Sequence, residues 1–343
     1  MVNLTLDSGD ILVESTVATH GDLPPEPSRP SAEFSSKSPT QIALRRLSRD
    51  PVAVTCFVIV VFFFLLAAGA PLWCDLLGVS TDTVRASTRI DLTTGLPKTG
   101  PPNHGFDSSH PFGVAPGTGN DNLAYWIYGA RTSLFLAFIA TIVSTFIGVA
   151  LGLIAGYAGG VVDSVIAFFT DIFLTFPFLL AALAITPIIA DRFGTRTELY
   201  EKVTFWTLVG ILIVFGWMGM TRLIRGEVLS LREREFVKAA RVIGVPTHKI
   251  LSREILPNLI APIVVSISIG LPAFVAAEAG LSYLGIGVQG QPSWGQTIDG
   301  ATKYWETYPL YLWEPVIGIT VLVVALNLLG DAIRDAFDPK TRH

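Results

Sequence analysis

The chain has 343 residues and a net charge of −4, and half of its residues are hydrophobic while only 15% are charged. Soluble domains carry about 25% charged residues, so this composition argues against a soluble enzyme. The acidic balance also gives no reason to expect nucleic acid as a partner. The apolar residues come in blocks as long as the ~20 residues that a helix needs to cross a bilayer, which indicates a membrane protein.

Six apolar segments are predicted to be transmembrane helices of an all-α membrane protein. They are residues 52–73, 133–157, 161–190, 204–220, 259–281 and 311–330. The third is predicted as one long span that contains Pro177. In the second, Gly148, Gly152 and Gly156 recur every four residues, so they share one helix face. Such a face is expected to let a neighbouring helix pack closely.

The distribution of basic residues predicts the orientation of these spans. Six crossings place residues 1–50, 157–161, 221–258 and 331–343 on one side, and this side holds 16 of the 24 lysines and arginines. Lysine and arginine are enriched on the cytoplasmic side of membrane proteins. Both ends of the chain are therefore predicted to be cytoplasmic.

The predicted spans and their flanking sequences divide the chain into four regions. These are a disordered cytoplasmic tail (1–40), a basic amphipathic segment (41–51), the first transmembrane helix with a long extracytoplasmic loop (52–130), and a core domain with five transmembrane helices (131–343). The tail is rich in proline and serine and has no hydrophobic periodicity. The basic segment either lies on the membrane surface or only sets the orientation. His104 and His110 stand alone in the long loop, so no metal site is expected.

A charged segment, Leu231–Asn258, interrupts the apolar sequence. Residues 228–242 are predicted to form one helix, which Gly244 ends in a left-handed conformation. A second short helix is expected after it, with Thr247 as its N-cap, and Pro257 is expected to mark the turn into the next span. The product is a helix–turn–helix unit on the cytoplasmic face.

Part of this segment, KAARVIGVPTHKILSREILPN, resembles the EAA loop of bacterial ABC-importer permeases. In that family the loop docks in a cleft of the cytoplasmic ATPase subunit and transmits its movement to the spans. The resemblance implies an ATPase-coupling role for Glu235, Lys238, Ala239, Ala240, Gly244, Ile255, Leu256 and Pro257. Lys238 departs from the family, where a glutamate is usual, and this change is expected to alter a salt bridge to the partner.

Other motifs narrow the resemblance to the C-type subunit of dipeptide and oligopeptide permeases. They are YGARTSL (128–134), GGVVDSVIAFFTDIFLTFPFLL (159–180), AEAGLSYLGIGVQGQPSWG (277–295) and NLLGDAIRDAFDPK (327–340). The second run departs from the family pattern, because the arginine often found between Asp163 and Asp171 is absent.

The resemblance implies the fold, the partners and the location. The fold would be that of a type I ABC importer permease with cytoplasmic coupling helices, in a bacterial inner membrane. The partners would be a paralogous permease subunit, two ATP-binding subunits that hold ATP and magnesium, and an extracytoplasmic binding protein that delivers a peptide. The chain would bind no cofactor and catalyse no reaction, in keeping with its lack of a G-x4-GK[ST] phosphate loop. The same permease role for nickel or another small solute stays open.

Among the polar residues inside the predicted spans, Asp171, Glu278 and Asn327 are the candidates for a pathway or for contacts between helices. Such groups either bond between helices or line a pathway, and Glu278 could contact a peptide's ammonium group. A proton relay through the carboxylates would instead indicate a secondary carrier. The loops 74–131 and 284–311 are expected to be docking surfaces for the binding protein, and the latter carries Trp294, Trp305 and Tyr308.

Overall fold

The computed structural model describes residues 39–83, 86–194 and 197–337, and within these ranges its regular structure is helical apart from two isolated β-bridges. In chain order the α-helices are α1 (Pro39–Leu47), α2 (Pro51–Ala68), α3 (Ala70–Leu77), α4 (Ala86–Arg89), α5 (Asn122–Ala158), α6 (Gly160–Thr175), α7 (Phe178–Phe193), α8 (Thr197–Leu231), α9 (Glu235–Val242), α10 (Thr247–Lys249), α11 (Ile260–Leu281), α12 (Trp294–Ala301) and α13 (Pro309–Phe337). Ile250–Ile255 and Ser282–Ile286 are π-helical, and Leu256–Leu259 and Thr302–Tyr304 are 3-10. The all-α prediction is confirmed for the described residues, and the predicted tail lies outside them except for residues 39 and 40.

Five helical stretches in the described part of the chain are long and apolar enough to cross a membrane. They are Pro51–Ala68, Asn122–Ala158, Leu199–Leu231, Thr247–Ile286 and Pro309–Phe337. The helices α6 and α7 add a sixth if the two together count as one span. The structure therefore supports five or six spans.

The third predicted span is broken. α6 and α7 meet at an angle of 77° across Phe176 and Pro177, so the prediction of one long helix over 161–190 is wrong. Phe176 has an extended backbone (φ −78°, ψ 127°), because the proline ring disfavours the helical conformation of the residue before it. Most side chains of both helices are exposed; the buried ones are Thr170 in α6 and Ala182 in α7.

The contact between α5 and α8 is the most extensive helix pairing in the bundle. A Cβ built on Gly148, Gly152 or Gly156 would lie 2.6 to 2.7 Å from the Cβ of a residue on α8. Those partners are Met220, Ile224 and Val228. Real Cβ atoms do not approach so closely, so only glycine lets the two helices come together here. The close packing predicted from the glycine spacing is confirmed.

A cluster of aromatic residues fills the end of the bundle opposite the charged segment. Trp294 at the start of α12 is fully buried, and its ring lies 5.8 Å from the rings of Phe63 on α2 and Trp126 on α5. Its Nε1 donates a hydrogen bond of 2.9 Å to the carbonyl of Trp126. Tyr308 is also buried, whereas Trp305 is exposed. Trp294 and Tyr308 therefore belong to the core rather than to the surface of the loop 284–311, whose docking role stays a prediction.

The basic segment before the first span forms α1. Its Ala43 is buried and Leu47 packs against the core, while Leu44 is exposed. The helix lies against α13. Asp50 then caps α2, since its carboxylate accepts a hydrogen bond of 2.9 Å from the backbone N–H of Val52.

Candidate functional site

The charged segment begins with a break rather than with the predicted helix over 228–242. α8 continues to Leu231, the chain turns over Arg232–Arg234, and α9 starts at Glu235. A straight helix would carry Val237 about 14 Å beyond Val228 along its axis. The break instead folds α9 back, so that Val237 and Val228 belong to one buried cluster. Burial of the apolar face of α9 thus decides the helix boundary.

Gly244 ends α9 in the predicted left-handed conformation, with φ of 78°. The backbone N–H of Gly244 donates to the carbonyl of Arg241 at 3.1 Å, and that of Val245 donates to the carbonyl of Ala240 at 3.0 Å. These bonds satisfy carbonyls that the end of a helix leaves without partners. The turn therefore depends on a residue that tolerates positive φ.

The second half of the segment leads into the next span without a turn. Helical backbone runs from Thr247 past Pro257 to Leu281, so the expected turn at Pro257 is wrong. The π-helical stretch Ile250–Ile255 and the 3-10 stretch Leu256–Leu259 accommodate the proline, which lies in the first turn of the latter and needs no intrahelical N–H bond there. Pro246 occupies the N-cap position predicted for Thr247.

A buried cluster attaches the charged segment to the spans. Val237, Ala240, Ile250, Ile255 and Leu259 pack together with residues of α8. Tyr157 near the end of α5 borders the same cluster, and the guanidinium of Arg241 lies 5.4 Å from the centre of its ring. The charged segment therefore shares one buried apolar cluster with α8, and α5 borders that cluster.

The outer surface of the segment carries exposed apolar side chains. Val242 is 86% exposed and Ile243 is 77% exposed, with Phe236 also exposed nearby in the sequence. Ala239 is exposed as well, whereas Ala240 is buried. Exposed apolar side chains grouped in this way are typical of a surface that another protein covers. We call Phe236, Ala239, Val242 and Ile243 the apolar patch.

Ion pairs border this patch. Lys238 Nζ lies 3.1 Å from Glu233 Oε2, and Arg232 Nε lies 3.5 Å from Glu233 Oε1. The hydrogen bond from Lys238, with the positive charges of both neighbours, holds the pKa of Glu233 below its ordinary value. The lysine that stands where the family has a glutamate thus pairs within its own chain.

The other predicted coupling residues occupy different environments. Glu235 is exposed in the first turn of α9, Ile255 is fully buried, Leu256 is half-buried and Pro257 is exposed. The structure brings Ala240 and Ile255 into one cluster. Their coupling role stays a prediction.

Two arginines of α8 pair with the two carboxylates of α6, and neither arginine was predicted as a site residue. Arg225 forms a two-pronged pair with Asp163, in which Nη2 lies 2.8 Å from Oδ2 and Nε contacts Oδ1. Arg222 Nη2 donates to Asp171 Oδ1 at 2.6 Å. The available signal was that Arg222 and Arg225 are three residues apart, and so share a side of one helix. Each carboxylate of α6 is therefore paired with an arginine of α8.

Glu278 on α11 is fully buried among serines. Ser282 Oγ donates a hydrogen bond of 2.7 Å to its Oε1, and the hydroxyls of Ser133 and Ser293 lie beside the same carboxyl group. Within the described residues, Glu278 Oε2 and Ser133 Oγ have no hydrogen-bond partner of good geometry. Glu278 of α11 thus faces α5 and the start of α12, and it lies away from any open surface.

We expect Glu278→Ala to destabilise the protein by about 2 to 4 kcal/mol, because it leaves a cavity lined by unpaired hydroxyls. Glu278→Gln keeps the volume and an acceptor for Ser282, so its unfolding temperature should stay close to that of the wild type. Thermal unfolding of the purified full-length chain measures both. If the glutamine variant were as unstable as the alanine variant, the carboxyl group itself, and not only its volume, would be required.

The remaining polar positions have local roles. Asn327 is exposed, and its Nδ2 donates a hydrogen bond of 2.9 Å to the carbonyl of Val323 in the same helix. His110 Nδ1 lies 2.5 Å from Asp121 Oδ2, and His104 Nε2 lies 3.0 Å from the carbonyl of Pro97. No group of three potential metal-binding side chains occurs in the described ranges.

Comparison with known proteins assigns both ends of the chain. Residues 148–343 match the model of the binding-protein-dependent transport system inner membrane component, and residues 38–76 match the N-terminal TM domain of oligopeptide transport permease C.

Named relatives cover nearly the whole chain. The dipeptide transport system permease protein DppC of Alkalihalophilus pseudofirmus is 33% identical over 93% of this chain and 97% of its own length. The oligopeptide transport system permease protein OppC of Escherichia coli is 31% identical over 90% of this chain and 94% of its own length. A chain of the MetNI methionine ABC transporter in an inward-facing conformation is 18% identical, with a TM-score of 0.48 over 62% of this chain and 96% of that one.

The chain belongs to the family of binding-protein-dependent transport system inner membrane components, and within it to the C subunits of dipeptide and oligopeptide permeases, which makes it a non-catalytic, multi-pass subunit in the inner membrane of a bacterium.

Proposed function

We propose that this chain forms half of the translocation pathway of an ATP-driven importer of di- or oligopeptides. The observation that carries the proposal is the charged segment, which shares a buried cluster with α8 and exposes the apolar patch. The substrate class comes from the relatives, which are named as dipeptide and oligopeptide permeases.

The proposed topology has six spans, with α6 and α7 crossing together as one bent span. Both ends of the chain lie in the cytoplasm, and the excess of lysine and arginine on that side supports this orientation. Residues 1–40 are then a cytoplasmic tail, 41–51 a basic segment at the membrane surface, 52–130 the first span with an outer loop, and 131–343 the core domain.

The apolar patch is the proposed contact with a cytoplasmic ATPase subunit. Two such subunits hold ATP and magnesium, and closure of the pair pushes on the charged segment. Because this segment shares a buried cluster with α8, its displacement must move α8 or break the cluster. Movement of α8 relative to the other spans would then switch access between the two sides of the membrane.

We propose that the face formed by α6 and α8 either contacts a paralogous permease subunit or lines the pathway between the two subunits. Asp171 and Arg222 are 64% and 61% exposed on this face. Asp171 lies 11 residues into α6, about 16 Å from its start. Charges inside a span face protein or water rather than lipid, so lipid does not cover this pair. An extracytoplasmic binding protein would deliver the peptide to the other end of the bundle.

Cysteine labelling in intact cells tests orientation and docking together. Ser108→Cys lies in the exposed outer loop and Ile243→Cys in the apolar patch, while the two native cysteines are buried. A membrane-impermeant maleimide should label Ser108→Cys in intact cells and leave Ile243→Cys unlabelled. After permeabilisation, Ile243→Cys should react only once the ATPase subunits have been removed.

The same cells supply the tagged chain for purification in mild detergent. We expect a second permease and one or two phosphate-loop ATPases to co-purify with it. Labelling of Ile243→Cys from outside would contradict the orientation. Recovery of the chain alone, with Ile243→Cys always reactive after permeabilisation, would contradict the coupling role and reopen a secondary carrier.

A further inference from the structure

A cavity of about 540 Å³ lies at the end of the bundle opposite the charged segment. Its walls come from the start of α8, the outer part of α5 and the loop that precedes α12. Its charged lining consists of Arg131, Glu201 and Lys202, and its aromatic lining of Tyr128, Phe135, Phe205 and Trp206. Neither the fold nor the proposed coupling mechanism uses this cavity.

The two cations of the cavity have no carboxylate partner. In the described part of the chain, no carboxylate oxygen lies within salt-bridge distance of Arg131 or Lys202. Glu201 is half-buried and packs directly on Gly290, where a Cβ would overlap its carboxyl group. The cavity therefore offers two positive charges without a carboxylate partner and, beside Gly290, one negative charge. A ligand with one negative and one positive group complements this set.

The charged groups lie at the edge of the apolar part of the bundle. Arg131 precedes the apolar run 133–157 by two residues, and Lys202 precedes the run 204–220 by the same interval. Trp206 is 60% exposed beside them, and tryptophan is enriched where the membrane meets water. The cavity thus lies at the level of lipid headgroups.

An apolar groove of about 430 Å³ adjoins the cavity. It shares Arg131 and Phe135 with the cavity, and its other lining residues are Phe64, Ala67, Ala68, Leu134 and Phe138. Leu134 and Phe138 follow Arg131 by about one and two turns of α5, so the groove extends from the charged groups toward the middle of the span. Phe62 and Leu65 of α2 beside it are largely exposed, as expected for a helix that faces lipid.

We propose that the cavity and the groove together bind one membrane phospholipid with a primary ammonium in its headgroup, of the phosphatidylethanolamine class. The phosphate is held by Arg131 and Lys202, the ammonium by Glu201, and an acyl chain by the groove. A short peptide also carries both charges, but it has no acyl chain to fill a groove lined by six apolar residues. Placing this lipid in the outer leaflet rests on the membrane orientation given under the proposed function. The existence of the binding site does not depend on that orientation.

Lipid retention by the full-length chain in its purified complex tests the proposal. The complex is reconstituted in nanodiscs that contain equal amounts of phosphatidylethanolamine, phosphatidylcholine and phosphatidylglycerol, re-extracted in mild detergent, and its bound lipid is quantified by mass spectrometry. We expect phosphatidylethanolamine to be enriched at least fivefold over phosphatidylcholine, whose trimethylated ammonium cannot donate hydrogen bonds to Glu201.

Three variants separate the headgroup contacts. Glu201→Gln should remove the preference for phosphatidylethanolamine over phosphatidylcholine without lowering the total lipid bound. Arg131→Gln and Lys202→Gln should each lower the retention of all three lipids several-fold. Lys303→Gln and Glu306→Gln change exposed charges outside the cavity, so they serve as matched controls that keep wild-type retention. Unfolding temperatures identify any variant that fails to fold, and Glu201→Gln is the most conservative of the three.

An unchanged preference for phosphatidylethanolamine in Glu201→Gln, together with unchanged total retention in Arg131→Gln and Lys202→Gln, would overturn the proposal. If the three cavity variants kept wild-type lipid retention but had a raised KM for peptide uptake, the cavity would instead be a peptide contact. Retention is measured without transport, so a failed lipid site leaves the importer proposal standing, and the labelling experiment tests that proposal separately.

Discussion

Peptide uptake by the Gly244→Val variant is expected to fall at least tenfold, while the chain still inserts in the membrane at the wild-type level. Gly244 has φ of 78°, and a Cβ built on it meets no atom within 4 Å. A new side chain therefore encounters only its own backbone. The left-handed conformation costs an L-residue about 1 to 2 kcal/mol, and a β-branched residue resists it most. Valine should shift the turn toward other conformations.

The loss should appear in coupling because of where the turn lies. Gly244 joins α9, which carries most of the apolar patch, to the helical run that continues into the next span. The bonds from Gly244 to Arg241 and from Val245 to Ala240 keep these two parts in a fixed relation. When the turn changes, Val242 and Ile243 are displaced relative to the spans. Movement of the ATPase would then no longer be transmitted.

Gly244→Asn is the matched control, because asparagine tolerates positive φ far better than valine does. It should retain at least half of wild-type uptake, measured as labelled peptide accumulated per copy of permease in the membrane. ATPase activity of the purified complex should persist in the valine variant but lose its stimulation by peptide. Equal loss in the asparagine and valine variants would mean that partner contact, and not backbone conformation, sets the requirement for glycine.

Features that depend on local sequence were predictable. The left-handed conformation of Gly244 follows from its place after a helix, and the fit of Gly148, Gly152 and Gly156 against α8 follows from their spacing. Each of these requires information from only a few residues. The EAA-like run was also recognisable, because its glycine and alanines are local requirements of the same kind.

Features that depend on which elements meet were not predictable. Pro177 signals a bend or a break, but the 77° angle depends on what packs around α6 and α7. Arg222 and Arg225 were visible as a pair on one helix, yet nothing local shows that α6 lies beside them. Trp294 follows glycine and proline residues that are typical of an outer loop, and it is buried only because distant residues of α2 and α5 enclose it.

Gly152→Leu is expected to prevent folding of the bundle, so that no stable full-length chain can be purified. A Cβ at this position would lie 2.7 Å from the Cβ of Ile224 and 2.9 Å from the backbone carbonyl oxygen of Thr221. A backbone atom cannot move aside as the end of a flexible side chain can. The leucine side chain would therefore separate α5 from α8. The contacts of Gly148 and Gly156, one turn on either side, would be lost as well.

Alanine substitutions test the same contact with a smaller side chain. The control substitution should change the unfolding temperature in the opposite direction or not at all. Gly152→Ala should lower stability by about 1 to 3 kcal/mol, the usual cost of overpacking, and thus lower the unfolding temperature of the purified chain. Gly210→Ala on α8 meets nothing within 4 Å, and alanine favours a helix over glycine by about 1 kcal/mol, so its unfolding temperature should stay equal or rise. If both variants raised the unfolding temperature, the helices could not be in contact at Gly152. Opposite signs would show that these glycines are required for close approach of α5 and α8, the helices that also hold the charged segment and would carry its movement.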